Sequence, residues 1–264
     1  MAQLQCLVIG VDNHVGAYLV RLLDARGVGG LAGIGGGSLL SRLGIADSVE
    51  MIAPGDAAAM AAEARIVFAI NDGSAERADL IADVIDSIAA TAQPPRLLHV
   101  ADVADLAQAS VRDSLQRVRK AQGVEAATIL LEAHDSRLGR PDTIMAQVIG
   151  ATARAEAPSV TFTETGPRDW GWTPEYVDAV QRMATRDRLT DMVVASGHRL
   201  TVAEIAEHAH GYFRNATAPV TVTGSGSGDN PIDTAPLLAA TGWRATTVGR
   251  DLVRALCEGA GDRA

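Results

Sequence analysis

The chain has 264 residues, 47% of them hydrophobic and 21% charged, which is enough apolar material for one large core or two interlocked ones and argues against long disordered stretches. Its net charge of -9 argues against an electrostatic grip on nucleic acid or on an anionic membrane, since each needs clustered Lys and Arg. Cys6 and Cys257 stand near opposite ends in apolar surroundings, without metal-ligand spacing, and read as buried reduced thiols. The N-terminus lacks the basic and long apolar regions of a secretion signal, and no apolar run reaches membrane-spanning length; a cytoplasmic protein with no metal and no membrane partner is expected.

Residues 4–10 form a nearly continuous apolar run ending in glycine, and an amphipathic helix follows over 15–26. Strand, turn and helix in that order open a dinucleotide-binding unit. The turn reads Gly10-Val-Asp-Asn13-His-Val-Gly16. Gly10 and Gly16 suit the tight turn and the close helix–strand contact, whereas Asn13 holds a position where a side chain would stand between the backbone and a pyrophosphate. A second strand is expected over 31–34. The loop after it, Gly35-Gly-Gly37-Ser38, carries no acid for a ribose hydroxyl and no cation for a 2'-phosphate. The expectation is therefore no nicotinamide cofactor, or weakly bound NAD(P), contacted by Gly10, Asn13 and Gly16.

Further strands are predicted over 65–70, 96–100, 126–132 and 192–195. Helices are predicted over 75–92, 105–122, 143–155 and 201–213, the last opened by a capping box of Thr201 and Glu204. His99, on a strand, reads as a satisfied core histidine. The βα alternation and the right-handed crossover rule predict an α/β fold, a Rossmann-like doubly wound parallel sheet with a smaller C-terminal α/β substrate domain. The expected bounds are 1–134 plus 170–195 for the first and 135–169 plus 196–264 for the second.

The densest stretch runs from Thr163 to Val180. Gly166-Pro167 punctuates it, Trp170-Gly171-Trp172 concentrates aromatics in a chain that is 3% aromatic, and Thr173, Pro174 and Glu175 read as an N-cap, a first-turn proline and a first-turn acid. Tyr176, Val177, Val180 and Met183 then recur at helical spacing. Arg168-Asp-Trp-Gly followed by Pro174-Glu-Tyr-Val-Asp-Ala resembles a signature of the GDP-mannose 4,6-dehydratases, a branch of the extended short-chain dehydrogenase/reductases. The ending, from Asn230-Pro-Ile-Asp233 to Thr241-Gly-Trp243 and a final helix to Cys257, resembles the same family. The resemblance implies that Arg168 contacts the diphosphate of a nucleotide-sugar substrate. Gly224-Ser-Gly-Ser-Gly228 replaces a second diphosphate-binding arginine that the family carries.

Active members of that family use NADP, a tyrosine base and a lysine four residues later that lowers the tyrosine's pKa. Counting back from Gly123 puts Ala104 and Gln108 at those two positions. The chain's tyrosines are Tyr18, Tyr176 and Tyr212, and its sole lysine is Lys120. After the strand predicted over 96–100, Asp102 is the one carboxylate retained where the family has an acid/base pair. His134-Asp135-Ser136-Arg137 follows the next strand and resembles a family segment lining the nicotinamide and sugar pocket. His134, Asp135 and Asp102 are the catalytic candidates, and Arg168, Ser136 and Arg137 the substrate-binding ones; for the 134–137 cluster, residual scaffold hydrogen bonding is the competing reading. Besides a conventional dehydratase with displaced residues, the least expected reading, two functions stay open. One is a nucleotide-sugar-binding protein, a lyase or isomerase if active, that uses a non-redox acid/base site. The other is a silent regulatory subunit paired with an active paralogue. Either is expected as a homodimer or heterodimer through helices 75–92 and 105–122, with Leu106, Val111, Leu115 and Val118 at the contact.

Overall fold

The computed structural model describes residues 4–103, 109–120, 123–154, 160–163, 166–214, 220–224, 226–228 and 230–260. In chain order the elements are β1 (Cys6–Ile9), α1 (His14–Ala25), β2 (Leu31–Ile34), α2 (Ser38–Arg42), β3 (Glu50–Ile52), α3 (Ala57–Glu63), β4 (Ile66–Ile70), α4 (Ala75–Ala89), β5 (Arg96–Asp102), α5 (Ala109–Lys120) and β6 (Ala126–Leu131). They continue with β7 (His134–Asp135), α6 (Ile144–Ala153), β8 (Val160–Thr163), β9 (Arg168–Asp169), β10 (Gly171–Trp172), α7 (Thr173–Ala184), β11 (Met192–Val194), β12 (Arg199–Leu200), α8 (Val202–Phe213), β13 (Val220–Thr223), α9 (Ala235–Thr241) and α10 (Gly249–Glu258). The chain divides into two compact units, Met1–Leu131 with Val177–Val194, and Glu132–Tyr176 with Ala195–Ala264.

The first unit is built on a parallel sheet of seven strands in the order β3-β2-β1-β4-β5-β6-β11. The strand order reverses between β1 and β4, and in such sheets ligands bind outside the carboxyl ends at that reversal. Leu7, Ile9, Val67, Ala69 and Leu97 face a cluster that includes Ile81, Ile85 and Ile88 of α4. Their neighbours Cys6, Val8, Phe68, Leu98 and Val100 are also buried, so by strand alternation the opposite face is covered too. Two covered faces are why these strands read as continuous apolar runs, and the expected Rossmann-like α/β fold is what the chain adopts. Burial pushes the Cys6 thiol up to about 11, and Cys257 is buried as well.

Three expectations need correction in this unit. Residues 38–63, where no element is expected, form α2, β3 and α3; β3 is a short edge strand with Glu50 and Met51 exposed, so it has no apolar run to announce it. Val111, Leu115 and Val118, expected at a dimer surface, lie in the core cluster against the sheet and are consumed there. Leu106, with the rest of 104–108 and 121–122, lies outside the described residues, and so do the Ala104 and Gln108 positions.

His99 is the third. It is buried on β5 with no hydrogen-bond partner on either ring nitrogen among the described residues, so it is not a satisfied histidine. Burial pulls its pKa down to about 4; Arg119 adds to this and Asp191 opposes it. An unfolded histidine titrates near 6.5, so as pH falls from there to about 4 the unfolded chain binds a proton that the folded chain refuses, and stability is lost across that window, to a limit of roughly 3 kcal/mol. The urea midpoint followed by far-UV circular dichroism should fall between pH 7 and pH 4.5, and His99→Leu should remove most of that dependence. An unchanged slope in the variant rules His99 out as its source.

Among the described residues the second unit has three two-stranded pairings, β7 with β10 and β8 with β13 in parallel and β9 with β12 antiparallel. Met145 and Ile149 of α6, Ile205 and Ala209 of α8, and Leu252 and Leu256 of α10 form its core with Trp170. The capping box on α8 is formed: Glu204 N donates to Thr201 Oγ1 and Thr201 N donates to the Glu204 carboxylate. Thr173 is not a cap. It is the first helical residue of α7, with its hydroxyl buried and without a partner among the described residues.

Candidate functional site

In the first unit the candidate site is the turn from β1 into α1. Gly10 has φ +94, and a Cβ there would lie 2.8 Å from the Ile70 carbonyl oxygen; a Cβ on Gly16 would lie 2.1 Å from the Gly10 carbonyl oxygen. Both positions therefore require glycine, one for left-handed backbone and one for close packing of helix on strand. Asn13 does something other than expected. Its backbone is extended and its Oδ1 accepts a hydrogen bond from Val15 N at 2.8 Å, so it caps α1 and its amide is folded onto the helix rather than standing over the turn.

Sequence reasoning passes over Asp12 and Arg77. Arg77, on the first turn of α4, is buried, and its Nη2 donates to both carboxylate oxygens of Asp12 at 2.8 and 3.0 Å across 65 positions of sequence. Asp12 is visible inside the glycine turn. No local pattern, however, links it to Arg77.

In the second unit the described elements bring His134, Asp135 and Ser136 together, all buried, on β7 and the turn after it. His134 Nδ1 is 2.8 Å from the Glu132 carbonyl oxygen, which puts the proton of the neutral ring on Nδ1 and the lone pair on Nε2. The Asp135 carboxylate accepts from Ser136 N at 2.7 Å and from Thr143 Oγ1 at 3.0 Å, organising the turn that leads to α6. Arg137 turns to α10, where it donates to the Ala255 carbonyl at 3.2 Å and to Glu258 at 2.9 Å. Asp102 belongs to the first unit, exposed at the end of β5.

Arg168 is half-buried on β9. Around it the Arg-Asp-Trp-Gly stretch is held from several directions. Asp169 accepts from Ser196 N and Oγ at 2.8 and 2.9 Å, from Gly197 N at 2.7 Å and from Tyr176 Oη at 3.2 Å. Trp170 Nε1 donates to the Leu200 carbonyl at 3.3 Å. Glu175, expected as a first-turn acid, takes hydrogen bonds from the amides and hydroxyls of Thr246 and Thr247 at 2.5 to 3.2 Å. Burial pushes the Glu175 carboxyl upward, but those four donors together outweigh it and hold the pKa below the usual glutamate value. Burial, followed by the charge of Asp169, drives Tyr176 well above an ordinary phenol.

Comparison with known proteins agrees with the motif reading. Residues 105–234, about half of the chain, match the family model described as GDP-mannose 4,6 dehydratase. Among solved structures, a UDP-glucuronic acid 4-epimerase from Bacillus cereus, in complex with UDP-glucuronic acid and NAD, is 9% identical and superposes with a TM-score of 0.83 over 99% of this chain and 100% of that one. MoeE5 in complex with UDP-glucose and NAD is 14% identical, with a TM-score of 0.77 over 98% and 99% of the two chains. A dTDP-glucose 4,6-dehydratase from Bacillus anthracis in complex with NAD is 8% identical, with a TM-score of 0.79 over 98% and 97%. At these identities the likeness shows the fold. All three hold NAD, and this overturns the expectation of no nicotinamide or a weakly bound one. The physical error lay in placing the Asn13 amide over the turn.

Proposed function

We propose, on the premise that residues 105–234 are a segment of the GDP-mannose 4,6-dehydratase family, that the chain binds a nucleotide sugar together with NAD and lacks the tyrosine–lysine pair that drives 4,6-dehydration. The glycine turn of the first unit supports the cofactor, with Gly10 and Gly16 giving a pyrophosphate close approach to backbone. Arg168 is the proposed diphosphate contact of the sugar nucleotide. When bound, NAD would supply a hydride acceptor.

The observation that carries the reading is where the tyrosines went. Tyr18 is buried on α1, Tyr176 is fully buried and donates to Asp169, and Tyr212 lies on α8 edge-on to Phe213. Lys120, the chain's sole lysine, ends α5. None of the three tyrosines has a lysine or arginine four residues after it: those positions are Leu22, Val180 and Ala216. Proton transfer would fall to His134, whose Nε2 carries the lone pair, with Asp135 orienting the segment; Asp102, on the first unit, is a separate carboxylate candidate. Such a site suits a non-redox lyase or isomerase step. A silent subunit that binds the same ligand and pairs with an active paralogue is the second reading, favoured by how fully Asp135 and Arg137 are engaged by their neighbours. Pairing through α4 and α5 belongs to either reading, now without Val111, Leu115 and Val118, and light scattering at tens of micromolar tests it.

Purified protein given GDP-mannose with NAD or NADP should form no 4-keto-6-deoxy sugar above background, since general acid/base catalysis contributes typically 10²- to 10⁴-fold. Robust formation of that product refutes the claim that the chain is inactive in 4,6-dehydration. Where any nucleotide sugar is turned over, His134→Ala should slow it at least about tenfold, and full activity in that variant dismisses His134 as the base.

A further inference from the structure

Dinucleotide-binding units of this topology hold the adenosine ribose with an acid near the end of the second strand, and that acid also disfavours the 2'-phosphate of NADP. In this chain the residue after β2 is Gly35, which has no side chain to offer. Gly35 has φ +132, a conformation that L side chains rarely adopt, and a Cβ built on it would lie 2.4 Å from Asp12 Oδ1 and 2.8 Å from its carboxyl carbon. The Asp12 carboxylate thus fills the space where a side chain of residue 35 would begin.

Three features show that this placement is held. Gly10 N and Val11 N both donate to the Ile34 carbonyl, at 2.8 and 3.2 Å, and bring the first turn against the end of β2. Arg77 takes both Asp12 oxygens from one side through a single nitrogen, a charge-assisted contact that fixes the carboxylate's direction. The Asp12 side chain is 39% exposed, against 10% for Arg77, so the pair presents its acid outward and its cation inward.

We propose that Asp12 is the ribose-binding and NAD-selecting acid of this protein, displaced from the second strand to the first turn, with Gly35 leaving it room and Arg77 holding it as a positioning residue. It accepts hydrogen bonds from the adenosine ribose hydroxyls and sets its charge against a 2'-phosphate. This rests on the NAD reading above and adds the residue that selects NAD.

Titration calorimetry with NAD, NADP and ADP-ribose, on wild type and on Asp12→Asn, tests it without reference to turnover. Asn keeps an oxygen for Arg77, and the melting temperature of the variant checks that the unit stays folded. Wild type should bind NAD at least about tenfold more tightly than NADP. Asp12→Asn should weaken NAD and ADP-ribose by about tenfold or more, the scale of one charge-assisted hydrogen bond, and leave NADP within a few-fold, so that the preference collapses. Asp12→Ser, which offers no carboxylate and no amide, should collapse it likewise. Wild type that binds NAD while both variants keep its affinity and its preference overturns the assignment of Asp12 alone. Wild type that binds neither dinucleotide nor ADP-ribose overturns the NAD reading and this assignment together.

Discussion

Asp169→Ala is expected to destabilise the second unit by about 4 kcal/mol. The buried carboxylate receives two backbone amides, a serine hydroxyl and a tyrosine hydroxyl, and ties β9 to the turn at 196–197 and to the start of α7. Each hydrogen bond to a charged group contributes roughly 1.5–3 kcal/mol, and removing the acceptor leaves buried donors unsatisfied; the contributions overlap, so the total stays well below their sum. Trp170, Trp172 and Trp243 are the chain's three tryptophans and all fall in this unit, so tryptophan fluorescence, excited where tyrosine does not absorb, follows its unfolding without signal from the first. Asp169→Asn keeps one carbonyl oxygen but turns an amide toward some of the same donors, and should lose about half as much. A fluorescence midpoint for Asp169→Ala within 1 kcal/mol of wild type, on the scale of about one neutral hydrogen bond, would remove the cluster from any account of this unit's stability.

Gly171→Ala should be comparably damaging for a different reason. A Cβ at 171 would sit 2.1 to 2.3 Å from Cζ, Cε1 and Oη of Tyr176, well inside contact distance. That ring is fully buried, bonded to Asp169, tilted against His134 at 5.5 Å and edge-on to Trp243 at 5.9 Å, so it has nowhere to move. Overpacking of a filled core costs typically 1–3 kcal/mol and more where the neighbour is pinned; roughly 3 kcal/mol is expected, a drop of about 10 °C in the fluorescence melting temperature. The clash is with one ring, so the same substitution in a Tyr176→Leu background should cost at least about 1 kcal/mol less. Equal costs in the two backgrounds would move the cause away from Tyr176. Within Arg168-Asp-Trp-Gly, then, the arginine is the member proposed to meet substrate, while the aspartate, tryptophan and glycine build the shelf that carries it.

Much of the fold is legible in the chain itself. The apolar runs at 4–10, 31–34, 65–70, 96–100 and 126–132 each lead to a strand of the parallel sheet, because a strand covered on both faces has to be apolar along its whole length. Thr201 and Glu204 announce the start of α8, because a capping box is closed within four residues. The family resemblance carried by Arg168 to Ala179 is legible in the same way, as contiguous sequence. So is the poverty of redox side chains, since three tyrosines and one lysine can be read from composition.

What the sequence by itself determined was therefore whatever is encoded within a turn or two of chain: periodicity, caps, the glycine turn and the residue types absent from the site. Tertiary structure alone decided which distant groups meet. It set Asp12 on Arg77 across 65 positions and into the space that Gly35 leaves, brought Ser196 to Asp169 across 27, and closed Thr246 onto Glu175 across 71. It also left His99 dry, with no partner for its ring among the described residues. The physical reason is common to all four. A carboxylate or an imidazole reads the same in any sequence, and its role depends on the donors, charges and solvent that folding places within about 3 Å of it, a distance over which no local pattern has control.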